Sequence, residues 1–254
     1  MTIDRAMAQD DADYARQLQK DARDRAHPLV APRDAATMMI IDRANGEPRV
    51  LMGKRHAGHV FMPDKFVFPG GRVDPCDRLM PVSAALPAAL EAKLITRIRH
   101  PSPARARALA LAAVRETFEE VGLLLGALAP KHGKGVPAGV WSDYASHGVL
   151  PDLSRIHFVA RAVTPPRRPK RFDTRFFTID ATHVAHRLEG VVGPDSELVE
   201  LVWQKISEAA ALDIPSIQRT VLLDLGARAA AGMDHALPVP FYREINRRWL
   251  RETL

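Results

Sequence analysis

The sequence predicts an α+β fold built on a mixed sheet. Three observations carry that prediction. Short apolar runs with strand character recur in both halves of the chain, one long capped helix stands between them, and strands and helices follow one another without the regular alternation of a doubly wound parallel sheet. The 254 residues suffice for one enlarged domain or two small ones.

Taken in order, residues 1–35 read as a polar, weakly helical N-terminal extension that the proline-bearing AHPLVAPRDA breaks. TMMIID and PRVLMGK follow as two strands, and Asn45-Gly46 between them is a strong turn signal, so a hairpin is expected. KFVF is a brief strand running into Pro69-Gly70-Gly71, where the glycines permit a tight backbone path. From Arg78 to Pro103 the composition shifts to Ala, Leu and Pro, and SAALPAALEAKLITRIRH reads as the helix of an insertion. Ser102 as N-cap and Pro103 at the first helical position then open a helix from about Ala104 to Leu123, with Gly122 near its end.

A loop-rich stretch extends through Pro151. RIHFVARAVT and DTRFFTIDA are a second strand pair joined by the basic, proline-rich PPRRPKRF, and ELVELVW is a further strand. SEAAAL, SIQRTVLLDLGARAAA and YREINRRWLRE read as helices. The expected organisation is an N-terminal extension over 1–35, a main domain over 36–212 with an insertion at about 78–103, and a C-terminal helical segment over 213–254 packed on it.

The net charge of +6 suits nucleic acid, an anionic membrane surface, a phosphate-bearing small molecule or simply an arginine-rich solvated surface. With a single cysteine, Cys76, there is neither an internal disulfide nor a zinc pattern. The charged N-terminus lacks an apolar h-region, and no run approaches about 18 uninterrupted apolar residues. A soluble, cytoplasmic protein is expected. Cys76, set between Asp74 and Asp77, has the surroundings of an inert thiol. The ten histidines show no metal-ligand spacing, and His56 and His59 flank the approach to the glycine pair.

The segment VRETFEEVG places Glu116, Glu119 and Glu120 near the end of the long helix. Leu111, Val114, Phe118 and Val121 fall on one stripe, and at about 100° per residue the glutamates centre on the opposite side. Glu116 and Glu120 are like charges at i,i+4, each such pair costing a few tenths of a kcal/mol, and the helix C-terminus disfavours anions. Only Arg115 is nearby to offset them. A divalent cation, Mg²⁺ or Mn²⁺, would compensate the cost through the hard oxygen ligands it prefers.

FPGGRVDPCD followed by VRETFEEVGL resembles the box of the Nudix hydrolases, G-x5-E-x7-R-E-U-x-E-E-x-G-U, with U a bulky aliphatic residue. Arg115 to Leu123 match every fixed position except that Thr117 replaces an aliphatic residue. Counting from Gly71, the first acidic position falls on Asp77 where the family has glutamate. Between Asp77 and Arg115 lie 37 residues where the pattern has seven, an insertion of 30. The interrupted box, together with TPPRRPKRFDTRFF, resembles a coenzyme A diphosphatase branch.

The resemblance implies an α/β/α sandwich with a mixed sheet, here with a helical insertion and C-terminal helices. It implies metal-dependent hydrolysis of the pyrophosphate linkage in a nucleoside diphosphate derivative such as coenzyme A or an acyl-coenzyme A. The alternatives are an ADP-ribose or nucleotide-sugar pyrophosphatase, and a non-catalytic module binding a nucleotide or RNA. By position, Glu116, Glu119, Glu120 and Gly71 are the implied metal ligands, and Glu119, Glu116 and Arg115 the catalytic set, with Glu119 leading as general base. Arg55, Arg167, Arg168 and Arg171 are candidate substrate contacts, and Glu197 or Glu200 a candidate extra carboxylate. Asp74 and Asp77 add charge or form turns. The expected partner is a small diphosphate substrate, with no membrane, no nucleic acid and a homodimer left open.

Overall fold

The computed structural model describes residues 27–44, 46–58, 63–129 and 135–254. Most of the N-terminal extension, together with Asn45 and His59, lies outside the described residues.

The main sheet has the order β10-β2-β1-β8-β7-β11-β12. Its strands are β1 (Arg33–Asp42), β2 (Arg49–Arg55), β7 (His157–Val163), β8 (Phe172–Asp180), β10 (Leu198–Lys205), β11 (Pro240–Ile245) and β12 (Arg248–Thr253). Two short strands are attached to it, β3 (Phe66–Val67) on β2 and β4 (Gly70–Arg72) on β1. β1 runs parallel to β8 and antiparallel to β2, which makes the sheet mixed as expected. β1 begins at Arg33, three residues before the expected domain boundary.

Alternation along β1 divides the core. Ala36, Met38 and Ile40 face one side, and Met39 and Ile41 face the other, the period-2 pattern of a strand buried on both faces. The first side receives α2 (Pro103–Val121); the second receives α4 (Ile206–Ala209) and α5 (Ser216–Ala230) through Ala209, Val221, Leu222 and Leu225. Behind α2 stands a small sheet, β6-β5-β9, made of β5 (Leu123–Leu128), β6 (Val149–Pro151) and β9 (Val184–Arg187). With it pack α1 (Ala88–Leu94) and α3 (Val140–Ser146). α2 is thus enclosed on nearly all sides. Its alanines Ala106, Ala110, Ala112 and Ala113, all fully buried, let both neighbours approach closely.

Both ends of α2 follow from local chemistry. The Ser102 hydroxyl accepts from the Arg105 backbone N–H, and Pro103 opens the helix. At the other end Gly122 sits at φ 69°, the left-handed conformation that ends a helix most cheaply with glycine, and its N–H returns to the Phe118 carbonyl.

Three expectations are corrected. Residues 242–252, expected to be helical, form the hairpin β11–β12 that extends the main sheet beside β7. Their Arg- and Glu-rich composition favours helix, but Phe241 and Tyr242 are buried against the sheet and tertiary packing overrides propensity. The insertion forms a single short helix, α1, whose Leu90 and Leu94 enter the core. The stretch through Pro151, expected to be loop-rich, contains β5, α3 and β6.

Candidate functional site

The site is assembled where β4 and the last third of α2 meet. β4 pairs with the start of β1, Gly71 opposite Ala36 and Gly70 opposite Thr37, and this delivers the glycine pair to the acidic end of the helix. The Gly70 N–H donates to Glu120 Oε2 at 3.1 Å. Gly71 lies so close to Glu116 that a Cβ there would come within 2.5 Å of its carboxyl carbon. No other residue fits this position without moving Glu116.

Arg115 ties the pieces together. It is buried, and its Nε donates to Asp77 Oδ1 at 2.8 Å, with a longer bond from its terminal nitrogen to Asp77 Oδ2 at 3.3 Å. The same guanidinium donates to the Arg72 carbonyl at 2.7 Å, to Glu116 Oε1 at 2.9 Å and to Glu119 Oε2 at 2.5 Å. Asp77 is fully buried at the start of a 3₁₀ turn (Asp77–Leu79) and accepts also from Trp141 Nε1 at 3.1 Å and from the Asp74 N–H at 2.7 Å. The aspartate that stands in place of a glutamate therefore anchors Arg115, and the two ends of the insertion are pinned to each other through that pair. Its importance was signalled by its spacing from Gly71; Trp141, 64 residues further on, gave no signal at all. Thr117, the other departure from the pattern, is buried and returns its hydroxyl to the Ala113 carbonyl at 2.7 Å, so the polar group is satisfied within the helix.

Burial sets the electrostatics. Desolvation pushes Glu116 up to about 7, against the opposing pull of Arg115 and with the added repulsion of Glu119. Glu120 is raised well above the ordinary glutamate value by desolvation first, then by Glu197 and Glu116, against the Gly70 N–H and Arg55. Arg115 loses some of its proton affinity to burial and regains more from Asp77, Glu116 and Glu119, so it is held charged. The helix carries its carboxylates at a cost to the fold, and Arg115 offsets part of it.

Of the remaining candidates, Glu197 is brought in: it pairs with Arg55 at 3.0 Å and repels Glu120. Glu200 is exposed on β10 opposite Lys54. Arg171 donates to the carbonyls of Thr164 at 3.1 Å and Val30 at 2.5 Å, tethering the turn between β7 and β8 to the strand start. Arg167 is exposed in that turn at φ 61°, and Arg168 is half-buried beside it. The turn leaves the sheet at the Arg33 end of β1, about 10 Å along the strand from Ala36 and its partner Gly71. Burial and Asp74 push the Cys76 thiol up to about 11, as expected for an inert cysteine. His56 is exposed; its Nδ1 accepts from the Gly58 N–H.

The glutamates expected to share a cation are divided between Arg115, which holds Glu116 and Glu119, and Gly70, which holds Glu120. Among the described residues no three His, Cys, Asp or Glu side chains form a ready cage. The donor set still fits a hard divalent ion: all its ligands are oxygens, buried Glu120 and half-buried Glu116 have raised proton affinity, and the glycine leaves room at Glu116. Rotation of Glu116 and Glu119 off Arg115 is what such binding requires.

No protein-family model matches the chain, and no curated protein matches it. Among solved structures, a Nudix hydrolase from Alicyclobacillus acidocaldarius is similar, 29% identical over 79% of this chain and 93% of its own, with a TM-score of 0.55. RenU, a Nudix hydrolase from M. smegmatis, is 16% identical over 79% of this chain and 88% of its own, with a TM-score of 0.41. Of the two, the first carries the comparison: the described residues have the Nudix fold, and the chain is similar to that one Nudix hydrolase over most of both lengths.

Proposed function

We propose that the protein is a Nudix-type pyrophosphohydrolase that cleaves a nucleoside diphosphate linked to another moiety. The observation that carries this reading is the return of Gly70 and Gly71 to Glu120 and Glu116 across the insertion. Two halves of a motif far apart in sequence are held in contact, which a chain with no use for the carboxylates has no reason to maintain.

Glu116, Glu119 and Glu120, with the carbonyl of Gly71, would hold Mg²⁺ or Mn²⁺, which supplies neutralisation of the diphosphate charge and a bound water of lowered pKa. Arg115, fixed by Asp77, sets the directions of Glu116 and Glu119. Glu119 has 35% of its side chain exposed and is the glutamate a water entering from solvent can reach, so it is assigned the proton of the attacking water. Glu116 and Glu120, deeper in the site, supply charge and position. Arg55, which pairs with Glu197, would meet a phosphate oxygen of the substrate in this reading.

Coenzyme A and its acyl esters are the first substrates to test, and ADP-ribose and nucleotide sugars the next. With Mg²⁺ or Mn²⁺ the purified chain is expected to release two phosphomonoester products, identified by mass spectrometry, and Glu119→Gln or Glu120→Gln to abolish that release. A broad panel left intact, with metal binding unaltered in both variants, would sink the reading.

A further inference from the structure

A cavity of about 780 Å³ opens beside Glu116 and follows α2 back toward its N-terminus. That size is ordinary for a small-molecule site. Arg33, Arg72, Arg78, Arg105 and Arg115 line it, against the carboxylates of Asp34, Asp74 and Glu116. Most of the negative charge is already engaged. Asp34 holds Arg105 at 2.7 Å and Arg175 at 3.0 Å, Glu116 holds Arg115, and Asp74 accepts the Cys76 N–H. Arg33, Arg72 and Arg78 are exposed and have no carboxylate within ion-pair distance among the described residues. Three exposed guanidinium groups with no paired carboxylate among the described residues thus border one cavity, with Asp74 as the nearby negative charge that Arg72 feels, so the rim keeps an excess of positive charge that an anion would relieve.

Two further features agree. Ser102 and Ala104, at the N-terminus of the 19-residue α2, line the same cavity and direct the positive end of its dipole there. The lining also contains no aromatic side chain, so a base has nothing to stack on. The chemistry favours phosphate oxygens over a nucleobase. Arg72 adjoins Gly71, and Arg105 lies eleven residues before Glu116, about 16 Å along the helix axis.

We propose that this cavity is a second anion compartment, which receives a phosphoester arm of the substrate beyond the diphosphate that is cleaved. The preferred substrates are then diphosphates in which one arm bears an additional phosphate. Arg33, Arg72 and Arg78 bind that group, and Arg78 comes from the first turn of the insertion, so the interruption of the motif contributes directly to selectivity. The idea rests on the hydrolase reading for the identity of the arm, while the compartment itself is tested apart from turnover.

Binding of inorganic tripolyphosphate to the full, metal-free chain at low ionic strength is measured by calorimetry. The Arg33→Ala/Arg78→Ala variant is expected to bind it at least about tenfold more weakly, since each lost charged hydrogen bond is worth about that factor, and the charge-matched Arg247→Ala/Arg248→Ala variant, at two exposed arginines, to bind it as the wild type does. Equal binding by the wild type and the double variant overturns the compartment.

In turnover, kcat/KM is compared for NADPH against NADH and for coenzyme A against dephospho-coenzyme A. A preference of about tenfold for the phosphorylated member of at least one pair, lost in the double variant while the other member is unaffected, supports the substrate arm. A ratio of one in both pairs, or a ratio the double variant does not move, overturns it, and with tripolyphosphate still bound assigns the cavity to a free anion. If no compound is cleaved while tripolyphosphate binding still depends on Arg33 and Arg78, the hydrolase reading and the substrate arm fail together and the anion compartment stands.

Discussion

Replacing Asp77 by alanine is expected to destabilise the protein strongly, although Asp77 sits in a short turn and is not one of the helix glutamates. Its carboxylate is fully buried and accepts from Arg115, Trp141 and the Asp74 backbone. Removing one partner of a buried ion pair costs about 3–5 kcal/mol, because the other charge is left in a poorly solvating place. Arg115 keeps Glu116, Glu119 and the Arg72 carbonyl, which pulls the figure toward the low end. The stranded Trp141 N–H returns roughly 1 kcal/mol to the cost. The expected loss is therefore about 3–4 kcal/mol. Urea denaturation at pH 7 should show it as a lower midpoint with an unchanged slope, and thermal denaturation as a fall of roughly 6–16 °C. Asp77→Asn, which keeps an acceptor but not the charge, should fall between alanine and the wild type, and Trp141→Phe should cost about 1 kcal/mol. A loss below about 1 kcal/mol for Asp77→Ala would refute the reasoning, since a clamp that the fold does not need cannot be what joins the insertion's two ends.

Other outcomes follow from the same geometry. Gly71→Ala should lower the melting temperature only slightly, about 1 kcal/mol or less, because the Glu116 carboxylate is the end of a flexible side chain and can swing away, yet it should abolish diphosphate cleavage; full activity would show that the 2.5 Å approach is irrelevant to the site. Glu120→Gln should stabilise the metal-free protein by about 1 kcal/mol, ~2–4 °C, while removing activity. The sign follows from a folded-state proton affinity raised above the unfolded value, so ionisation above pH 5 opposes folding and glutamine removes that opposition. His157, stacked on His235 with centroids 4.5 Å apart, is pushed down to about 4 by burial and then by the charges of His235 and Arg228. A lowered histidine value means that the unfolded chain binds the extra proton, so stability should fall as pH drops from about 6.5 to 4, by about 1–3 kcal/mol. His157→Gln should flatten that part of the pH–stability curve, and an unchanged slope would count against the half-buried neutral pair.

What could be read from the sequence was what local chemistry decides. The limits of α2 were legible because a serine cap, a proline and a left-handed glycine act within a few residues of themselves. The β1–β2 and β7–β8 hairpins were legible from short apolar runs and the turn-forming stretches between them, and the glutamates from their self-repulsion. Hidden features depended on distant partners. Nothing near Asp77 announces that Trp141 will bury it, and nothing near Arg115 shows that Asp77 will claim its charge alongside the neighbouring Glu116 and Glu119. Residues 242–252 have the composition of a helix, and become a hairpin because β7 offers an edge for β11 to join. Leu123–Leu128 follows a helix too closely to be recognised as a strand until its pairing with β6 and β9 is seen.

The pinning of Asp77 to Arg115 changes what the length of the insertion means. Once both ends of a loop are held by a buried contact, each doubling of the loop costs only about 0.6 kcal/mol in closure entropy. The stretch between α1 and α2 should then tolerate a cut peptide bond as readily as extra residues, and separately expressed fragments divided there should reassemble around α2. A pattern that prescribes seven residues between acid and arginine measures position along the chain, while the chemistry requires only that the two side chains meet.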